Sequence, residues 1–300
     1  VDQGIPIFKY INALYNETFK ETIKMERIST PIFNIINGGK HANNNIDFQE
    51  FAVIPSSSFI FSKAYQIGVE LFHELKRVLI YRNANISVGE EGGMAPNFST
   101  NLDALEVLNE TFIKKNLKPG LDVFLGIDMA ASHYMKSDQY VIKDRNHGMK
   151  ADEYIEFVKQ ITEHYSILIL EDPLGDDDWD GWKKLNHILS EKVYLIGDDL
   201  IATNKDRLEK AIKEKACTTV LIKPNQIGTI SETLEVINIA RKNTFNYVVS
   251  HRSGETNDTF IADFAVGIQS DFVKFGAPSR GERVEKYNRL WEIEQEHLLK

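Results

Sequence analysis

The stretch ILILEDP at residues 167–173 is an apolar run that stops abruptly on two carboxylates and a proline. Its four bulky apolar residues predict a strand that is buried on both faces. Because an unpaired buried charge costs several kcal/mol, such a strand ends in Glu171 and Asp172 only where something at that end favours negative charge. The sequence therefore predicts a site at this strand end.

The same pattern recurs along the chain. Six apolar runs end at Asp128, Glu171, Asp198-Asp199, Lys223, Ser250-His251-Arg252 and Lys274, and two earlier runs cover 32–36 and 51–54. From Glu171 onward the unit recurs about every 25 residues, as strand, loop and helix do in a (β/α)8 barrel. The active site of such a barrel lies at the C-terminal ends of its strands, so acids and lysines are predicted to share one mouth. The alternative is that they are ordinary loop charges.

The first part of the chain differs from a regular barrel. The runs at 32–36 and 51–54 follow each other directly, which requires an antiparallel pair. Apolar spacing then predicts helices at 59–81 and 101–116. Later helices are predicted at 151–164, 181–189, 205–213, 231–242, 258–269 and 281–299. A short helix is expected near 6–11 and a linker over 17–27. The predicted fold is α/β, a TIM-type (β/α)8 barrel that begins β-β-α-α.

The net charge, the cysteine count and the length of the apolar runs argue against several classes of function. The net charge of −9 argues against a nucleic-acid partner or an anionic membrane surface. The single cysteine, Cys217, excludes an internal disulfide framework and suits a reducing cytosol. No apolar run approaches the ~18 residues of a membrane span, so we expect no membrane insertion.

The three acids at neighbouring strand ends predict a metal site. Asp128, Glu171 and Asp198 form an all-oxygen ligand set. Hard oxygen ligands without Cys or His select Mg²⁺, Mn²⁺ or Ca²⁺ over Zn²⁺. The sequence therefore predicts a hard divalent cation at this end of the barrel.

The cations of the later strand ends predict an anion site with a base. The pKa of a lysine close to another cation and a metal falls, so Lys223 or Lys274 is a candidate base. Arg252 between them can bind a phosphate or carboxylate in bidentate fashion. Metal, lysine base and anion site together suggest proton abstraction α to a carboxylate.

Two loops carry further candidates. His41 lies in a loop rich in glycine and asparagine and either contacts a ligand or is exposed. Glu90 and Glu91 are flanked by glycines, which suits either a general acid or a plain acidic turn. The sequence alone leaves both alternatives open.

Several longer motifs resemble the enolase (phosphopyruvate hydratase) family. They are NIINGG at 34–39, QEF at 49–51, EGGMAPN at 91–97, EDPL at 171–174, GDDL at 197–200, NQIGT at 225–229, SHRSGET at 250–256 and GAPSR at 276–280. The pairing of a lysine base with Mg²⁺ is the known pattern of that superfamily. The resemblance implies a β-β-α-α-(β/α)6 barrel and a cytoplasmic glycolytic lyase that interconverts 2-phosphoglycerate and phosphoenolpyruvate.

The resemblance also implies a role for each matching residue. Lys223 would remove the C2 proton, while Glu91, helped by Glu50, would protonate the departing C3 hydroxyl; His251 is the fourth catalytic candidate. The implied metal ligands are Asp128, Glu171 and Asp198, and the implied substrate contacts are His41, Gln49, Glu50, Ser250, His251, Arg252, Ser253 and Lys274. Lys274 would also lower the pKa of Lys223. Four positions depart from the family pattern, namely Lys40, Glu90, His133 and Pro224.

The resemblance begins near residue 31, which implies two parts. Residues 1–30 would be the tail of an N-terminal domain with its linker, and residues 31–300 the catalytic barrel. In the family the missing domain helps to hold the second of two Mg²⁺ ions and to form the homodimer. We therefore expect this chain to form one metal site and to bind metal better than it turns over substrate.

Three functions remain open at this point. The chain is a piece of a working enolase, an enolase-like barrel kept as a binding protein, or a superfamily member with another acid substrate. Enolases also occur at the cell surface as receptors for plasminogen, which binds C-terminal lysines such as Lys300. The third alternative is disfavoured by the run at 250–256, which other superfamily members rarely share.

Overall fold

The computed structural model describes residues 4–42 and 46–298. The asparagines at 43–45 and Lys300, to which the sequence assigned a loop and a plasminogen contact, lie outside these residues. The strands are β1 (Thr30–Asn37), β2 (Glu50–Pro55), β3 (Val123–Asp128), β4 (Met135–Lys136), β5 (Gln139–Tyr140), β6 (Ile167–Glu171), β7 (Tyr194–Gly197), β8 (Thr219–Ile222), β9 (Asn246–Ser250) and β10 (Phe272–Lys274).

Helices follow most strands. They are α1 (Ile7–Phe19), α2 (Phe61–Tyr81), α3 (Asn101–Lys114), α4 (Ala151–His164), α5 (Trp179–Leu189), α6 (Lys205–Glu214), α7 (Pro224–Ile227), α8 (Ile230–Lys242), α9 (Phe260–Gly267) and α10 (Gly281–Ile293), which continues as a π-helical turn at Glu294–Leu298. No helix within the described ranges has the length and apolarity that a bilayer crossing requires.

Eight of the strands close into a barrel in the order β1-β10-β9-β8-β7-β6-β3-β2. Strand β2 pairs antiparallel with both β1 and β3, and the remaining barrel pairs are parallel. Every strand candidate from the sequence is a barrel strand, which confirms the predicted α/β barrel with its β-β-α-α start.

The strands are apolar on both faces because each packs inward and outward. A small cluster fills the barrel interior, and its members are Ile32, Ala52, Ile54, Ile169, Ile196, Leu221, Val248 and Phe272. A larger core lies between the strands and the surrounding helices. This double burial explains the near-continuous apolar runs, and it leaves only the strand ends for polar side chains.

The N-terminal segment is more helical than the sequence indicated. The expected linker starts at 17, but α1 continues to Phe19. Phe8, Ile11 and Tyr15 are buried at helical spacing, and the side-chain amide of Asn12 donates to the carbonyl of Gly267 at 2.9 Å. These contacts attach α1 to the barrel helix α9.

Other boundaries also differ. Helix α5 begins two residues early, at Trp179, because the Asp178 carboxylate accepts from the Gly181 amide and caps it. The α-helical part of α10 ends at Ile293 rather than at 299. The β4–β5 hairpin and α7 were not predicted, since elements of two to four residues show no periodicity.

Candidate active site

The register between neighbouring barrel strands places the polar residues at their ends side by side, at one end of the barrel. Glu50 lies opposite Asp128, and Asp128 opposite Glu171. Lys274 lies opposite Ser250 on the neighbouring strand. A cavity of about 300 Å³ opens there. Its lining includes the predicted residues His41, Gln49, Glu50, Glu91, Asp128, Asp198, Lys223, Ser250, His251, Arg252, Ser253 and Lys274, together with Lys40, Glu90 and His133.

Lys274 joins the acids of the mouth. Its Nζ lies 2.7 Å from Glu171 Oε2, 2.8 Å from Glu50 Oε2 and 3.2 Å from Asp128 Oδ2. Burial by itself lowers the pKa of Lys274, but the Glu171 and Glu50 carboxylates outweigh it and raise the pKa well above its ordinary value. Lys274 is therefore a fixed ammonium that partly neutralises three buried carboxylates.

The acids have carboxylate oxygens that their protein partners do not satisfy. Glu171 Oε1 and Asp198 Oδ1 are buried and have no hydrogen-bond partner. Burial, and then the charge of Asp128, raises the pKa of Glu171 well above its ordinary value. Crowded carboxylate oxygens of this kind are the ligands that Mg²⁺ or Mn²⁺ prefers, so the residues fit a hard divalent cation.

The distances between possible ligand atoms also indicate which residues could hold a metal ion together. In the part of the chain that is described, two groups have ligand atoms within 4.8 Å of one another, and the predicted trio is neither of them. One is Asp172, Asp198 and Asp199; the other is His41, Glu50 and Glu91. Asp198 thus belongs both to the predicted site and to an acidic group formed by the β6 and β7 ends.

Asp172, in the motif at 171–174, has a supporting role that the sequence does not indicate. Its carboxylate accepts from the backbone amides of Asp198 at 3.0 Å and Asp199 at 2.8 Å. Its φ of +38° lies in the left-handed region, which is uncommon for a residue other than glycine. Asp172 therefore fixes the backbone from which Asp198 projects.

Lys223, the candidate base, is paired with Asp198. Its Nζ lies 2.5 Å from Asp198 Oδ2, and its side chain is largely buried. Burial lowers the pKa of Lys223, but attraction to Asp198 and Glu171 outweighs both burial and the repulsion of Lys274, so the pKa is raised. The expected lowering by Lys274 is present but is the smaller effect in this structure.

The second half of the mouth contains two carboxyl groups and two imidazoles. Glu91 is buried, unlike Glu90, and its Oε2 accepts from Asn34 Nδ2 at 2.8 Å and lies 3.2 Å from His251 Nε2. Burial and the charge of Glu91 raise the pKa of Glu50 to about 7. Glu91 is therefore a held carboxyl group rather than a plain acidic turn.

His41 is not an exposed loop residue. Its side chain is 15% exposed, and Nδ1 lies 3.0 Å from Glu50 Oε1 and 3.7 Å from Glu91 Oε1. Burial lowers the pKa of His41, but its contact with Glu50 outweighs this and raises the pKa to about 9. The loop before β2 thus delivers a cation to the two carboxyl groups.

The remaining predicted contacts lie around the same opening. Gln49 Nε2 donates to Asp128 Oδ2 at 3.3 Å, and Ser250 Oγ donates to the His251 carbonyl at 3.0 Å. Arg252 and Ser253 are exposed at the rim, where an anion can reach them. All the predicted site residues are therefore within or directly beneath one opening.

Two cations of α10 and Asn34 escaped the sequence analysis. Arg283 and Lys286 are fully buried and donate to backbone carbonyls of the loop after β9. At helical spacing they resemble ordinary surface residues, so the sequence gives no sign of their burial. Asn34, a polar residue inside an apolar run, is a signal that could have been used.

Two comparisons with known proteins identify the family of this chain. The sequence model of the family described as "Enolase, C-terminal TIM barrel domain" matches residues 26–298. A curated protein named "Enolase" from Natranaerobius thermophilus is 44% identical over 293 residues, which are 98% of this chain and 66% of that protein. The chain thus spans just under two thirds of the length of this relative.

Proposed function

This chain belongs to the enolase family, and we propose that its barrel mouth catalyses the reversible dehydration of 2-phosphoglycerate to phosphoenolpyruvate. The observation that supports the proposal is that two largely buried lysines, Lys223 and Lys274, lie against a set of largely buried carboxylates in one cavity. Enolase chemistry needs a base at C2 and an acid at C3 of an anionic substrate. Because the chain spans 66% of the length of its relative, we propose for it the activity of whole enolases and do not infer that activity from the similarity alone.

Lys223 would act as the base. It lies at the end of β8 and lines the cavity in which the substrate, with its C2 proton, would bind. Lys274, whose charge is held by Glu171 and Glu50, disfavours a second ammonium nearby and so assists the neutral form of Lys223. Proton transfer by a positioned side chain of this type typically contributes about 10²- to 10⁴-fold to the rate.

Burial raises the pKa of Glu91, but its contacts with His251 and His41 outweigh this and hold the pKa well below its ordinary value. Glu91 would therefore take up a proton from Glu50 beside it and deliver it to the departing hydroxyl. The pKa of Glu50 of about 7 means that this group carries a proton for much of the time at neutral pH. His41 bridges the two carboxyl groups and would close the loop over the substrate. Acid and base would thus act from opposite sides of the mouth.

The substrate anions would meet separate partners. Asp128, Glu171 and Asp198 would hold Mg²⁺, which when bound supplies positive charge that stabilises the substrate carboxylate. Arg252 and Ser253 would bind the phosphate at the rim, where a guanidinium can make bidentate contacts. Gln49, Ser250 and Lys274 would complete the polar lining around the carboxylate.

The test is phosphoenolpyruvate formation from 2-phosphoglycerate, measured by absorbance with excess Mg²⁺. Lys223→Ala is compared with Lys213→Ala, an exposed lysine on α6. We expect turnover by the parent and the control and loss in Lys223→Ala, with Mg²⁺-dependent thermal stabilisation kept in all three. Equal turnover in Lys223→Ala would exclude this base, and absence of turnover in the parent would exclude the activity for this chain.

The family context extends the proposal beyond the site. We expect a cytoplasmic role in glycolysis and, for the whole protein, a homodimer; light scattering after size-exclusion chromatography tests the latter. The plasminogen hypothesis depends on Lys300, outside the described residues, and no described residue favours it as a second function.

A further inference from the structure

Arg283 is buried beneath the mouth although it lies in the first turn of α10. One guanidinium nitrogen donates to the Arg252 carbonyl and is 2.7 Å from His251 Nδ1. The other donates to the carbonyls of Ser253 at 2.6 Å and Glu90 at 3.3 Å. Arg283 therefore touches both loops that border Glu91.

The contact with His251 indicates which ring nitrogen carries the imidazole proton. A guanidinium has only donors, so Nδ1 must be the acceptor and the proton of the neutral ring must be on Nε2. Nε2 is buried 3.2 Å from Glu91 Oε2 but makes no hydrogen bond with it. The Nε2–H group thus keeps capacity to donate to a molecule in the cavity.

We propose that Arg283 is a positioning residue that holds His251 as the neutral Nε2–H tautomer, so that His251 acts in the mouth as a hydrogen-bond donor and not as a proton carrier. Only the consequence for catalysis rests on the proposed function. The tautomer is a property of the protein without substrate.

The charges around His251 act in the same sense. Burial lowers the pKa of His251, and the positive charges of Arg283 and Lys274 add to this, while Glu91 opposes it. A second proton on Nδ1 would set an N–H group against the guanidinium at 2.7 Å. Removal of Arg283 therefore frees Nδ1 for protonation.

Lys286, one turn further along α10, provides a matched control. It is equally buried, and its Nζ donates to the carbonyls of Thr256 and Glu282 at 2.8 Å and pairs with Glu255 at 2.9 Å. It holds the same loop through partners other than His251. A general loosening of the loop would appear in Lys286→Met, whereas loss of the tautomer should not.

The experiment is a two-bond ¹H–¹⁵N spectrum of the histidine rings, recorded from about pH 5 to pH 9. The signal of His251 is assigned by its absence in His251→Gln. In the parent and in Lys286→Met we expect Nδ1 to have the shift of an unprotonated nitrogen throughout. In Arg283→Met we expect mixed tautomers and a titration of the ring within the range. Arg283→Lys, which keeps one cation, should lie between them.

Two results would overturn the proposal: an Nδ1–H or doubly protonated ring in the parent at neutral pH, or an unchanged His251 signal in Arg283→Met. The first of these results is read from the parent spectrum alone, so it can be obtained even where a variant does not fold. With 2-phosphoglycerate, kcat of Arg283→Met should gain a new ionisation in its pH profile. A parent without turnover but with the fixed tautomer would refute the proposed function and leave the assignment of Arg283 standing.

Discussion

Lys223 Nζ lies 2.5 Å from Asp198 Oδ2, so the proposed base and a proposed metal ligand are ion-paired across the adjacent ends of β7 and β8. The two carboxylate oxygens of Asp198 differ in their partners: Oδ2 pairs with Lys223, whereas Oδ1 is buried and has no hydrogen-bond partner. A divalent cation at Asp198 would compete with Lys223 for this carboxylate. Metal binding and the availability of the base are therefore coupled through one side chain.

Mg²⁺ should raise the thermal unfolding temperature of the parent and do so much less in Asp198→Asn. A ligand at one hundred times its Kd stabilises by about 2.7 kcal/mol, and the amide removes the charge that holds it. The measurement is a melting curve over a Mg²⁺ titration, with Asp206→Asn, an exposed acid on α6, as the control. Equal Mg²⁺ stabilisation of Asp198→Asn and the parent would remove Asp198 from the ligand set.

The His41–Glu50 contact should make stability depend on pH. The pKa of folded His41, about 9, lies above its ordinary value of 6.5, so the stabilisation is complete below pH 6.5 and is lost as pH rises through 9. His41→Gln should flatten this part of the profile and cost about 1–3 kcal/mol at low pH.

The measurement is urea unfolding of the parent and His41→Gln across that window. His73→Gln, an exposed histidine on α2, is the control and should keep the parent's slope. A parent and a His41→Gln variant with parallel profiles between pH 6.5 and pH 9 would show that His41 is not held by Glu50 in solution.

The strand ends could be predicted from the sequence because two constraints coincide there. Residues such as Asp128 and Glu171 interrupt runs that must be apolar on both faces, and the barrel topology then brings consecutive strand ends together. Their position on one rim follows without any knowledge of long-range contacts. The protonation states do not follow, since the pKa of Lys223 depends on how closely Asp198 approaches it.

The supporting residues could not be predicted, because their roles depend on distant partners. Arg283 is buried only because the carbonyls of Arg252 and Ser253 lie above it, some thirty positions earlier in the chain. Periodicity assigns Arg283 to a helix but does not tell a surface cation from one that closes a loop. α1 shows the same limit, since it depends on contacts with α9.

Glu294 should be needed for the start of α2, which lies far from it in sequence. The residue before α2 is Ile60, which cannot cap, and the Glu294 carboxylate instead accepts from the amides of Phe61 at 2.5 Å and Ser62 at 2.9 Å. Glu294→Ala should cost about 1–2 kcal/mol of unfolding free energy, the usual value of a lost cap. Glu292→Ala, at an exposed neighbour, should cost under about 0.5 kcal/mol. Similar losses for the two variants in urea unfolding would contradict this role.

Gly68 gives a prediction whose sign is opposite to the usual rule. Replacing a glycine inside a helix by alanine normally stabilises by about 1 kcal/mol. Gly68 lies within α2, but a methyl group there would meet the ring of Phe33, a buried residue of β1. That ring also packs against Tyr65 and Tyr287, so it has little room to move.

Gly68→Ala should therefore destabilise the fold by about 1–3 kcal/mol, the range for overpacking in a core. Urea unfolding measures the loss, and Phe33→Leu on the same background should restore part of it because the smaller side chain makes room for the methyl group. Coupling of this kind is expected only for side chains in direct contact, so the Phe33→Leu rescue distinguishes a clash from a general helix effect. A Gly68→Ala variant as stable as the parent would contradict this, because it would show that the space between α2 and the Phe33 ring of β1 can hold a methyl group.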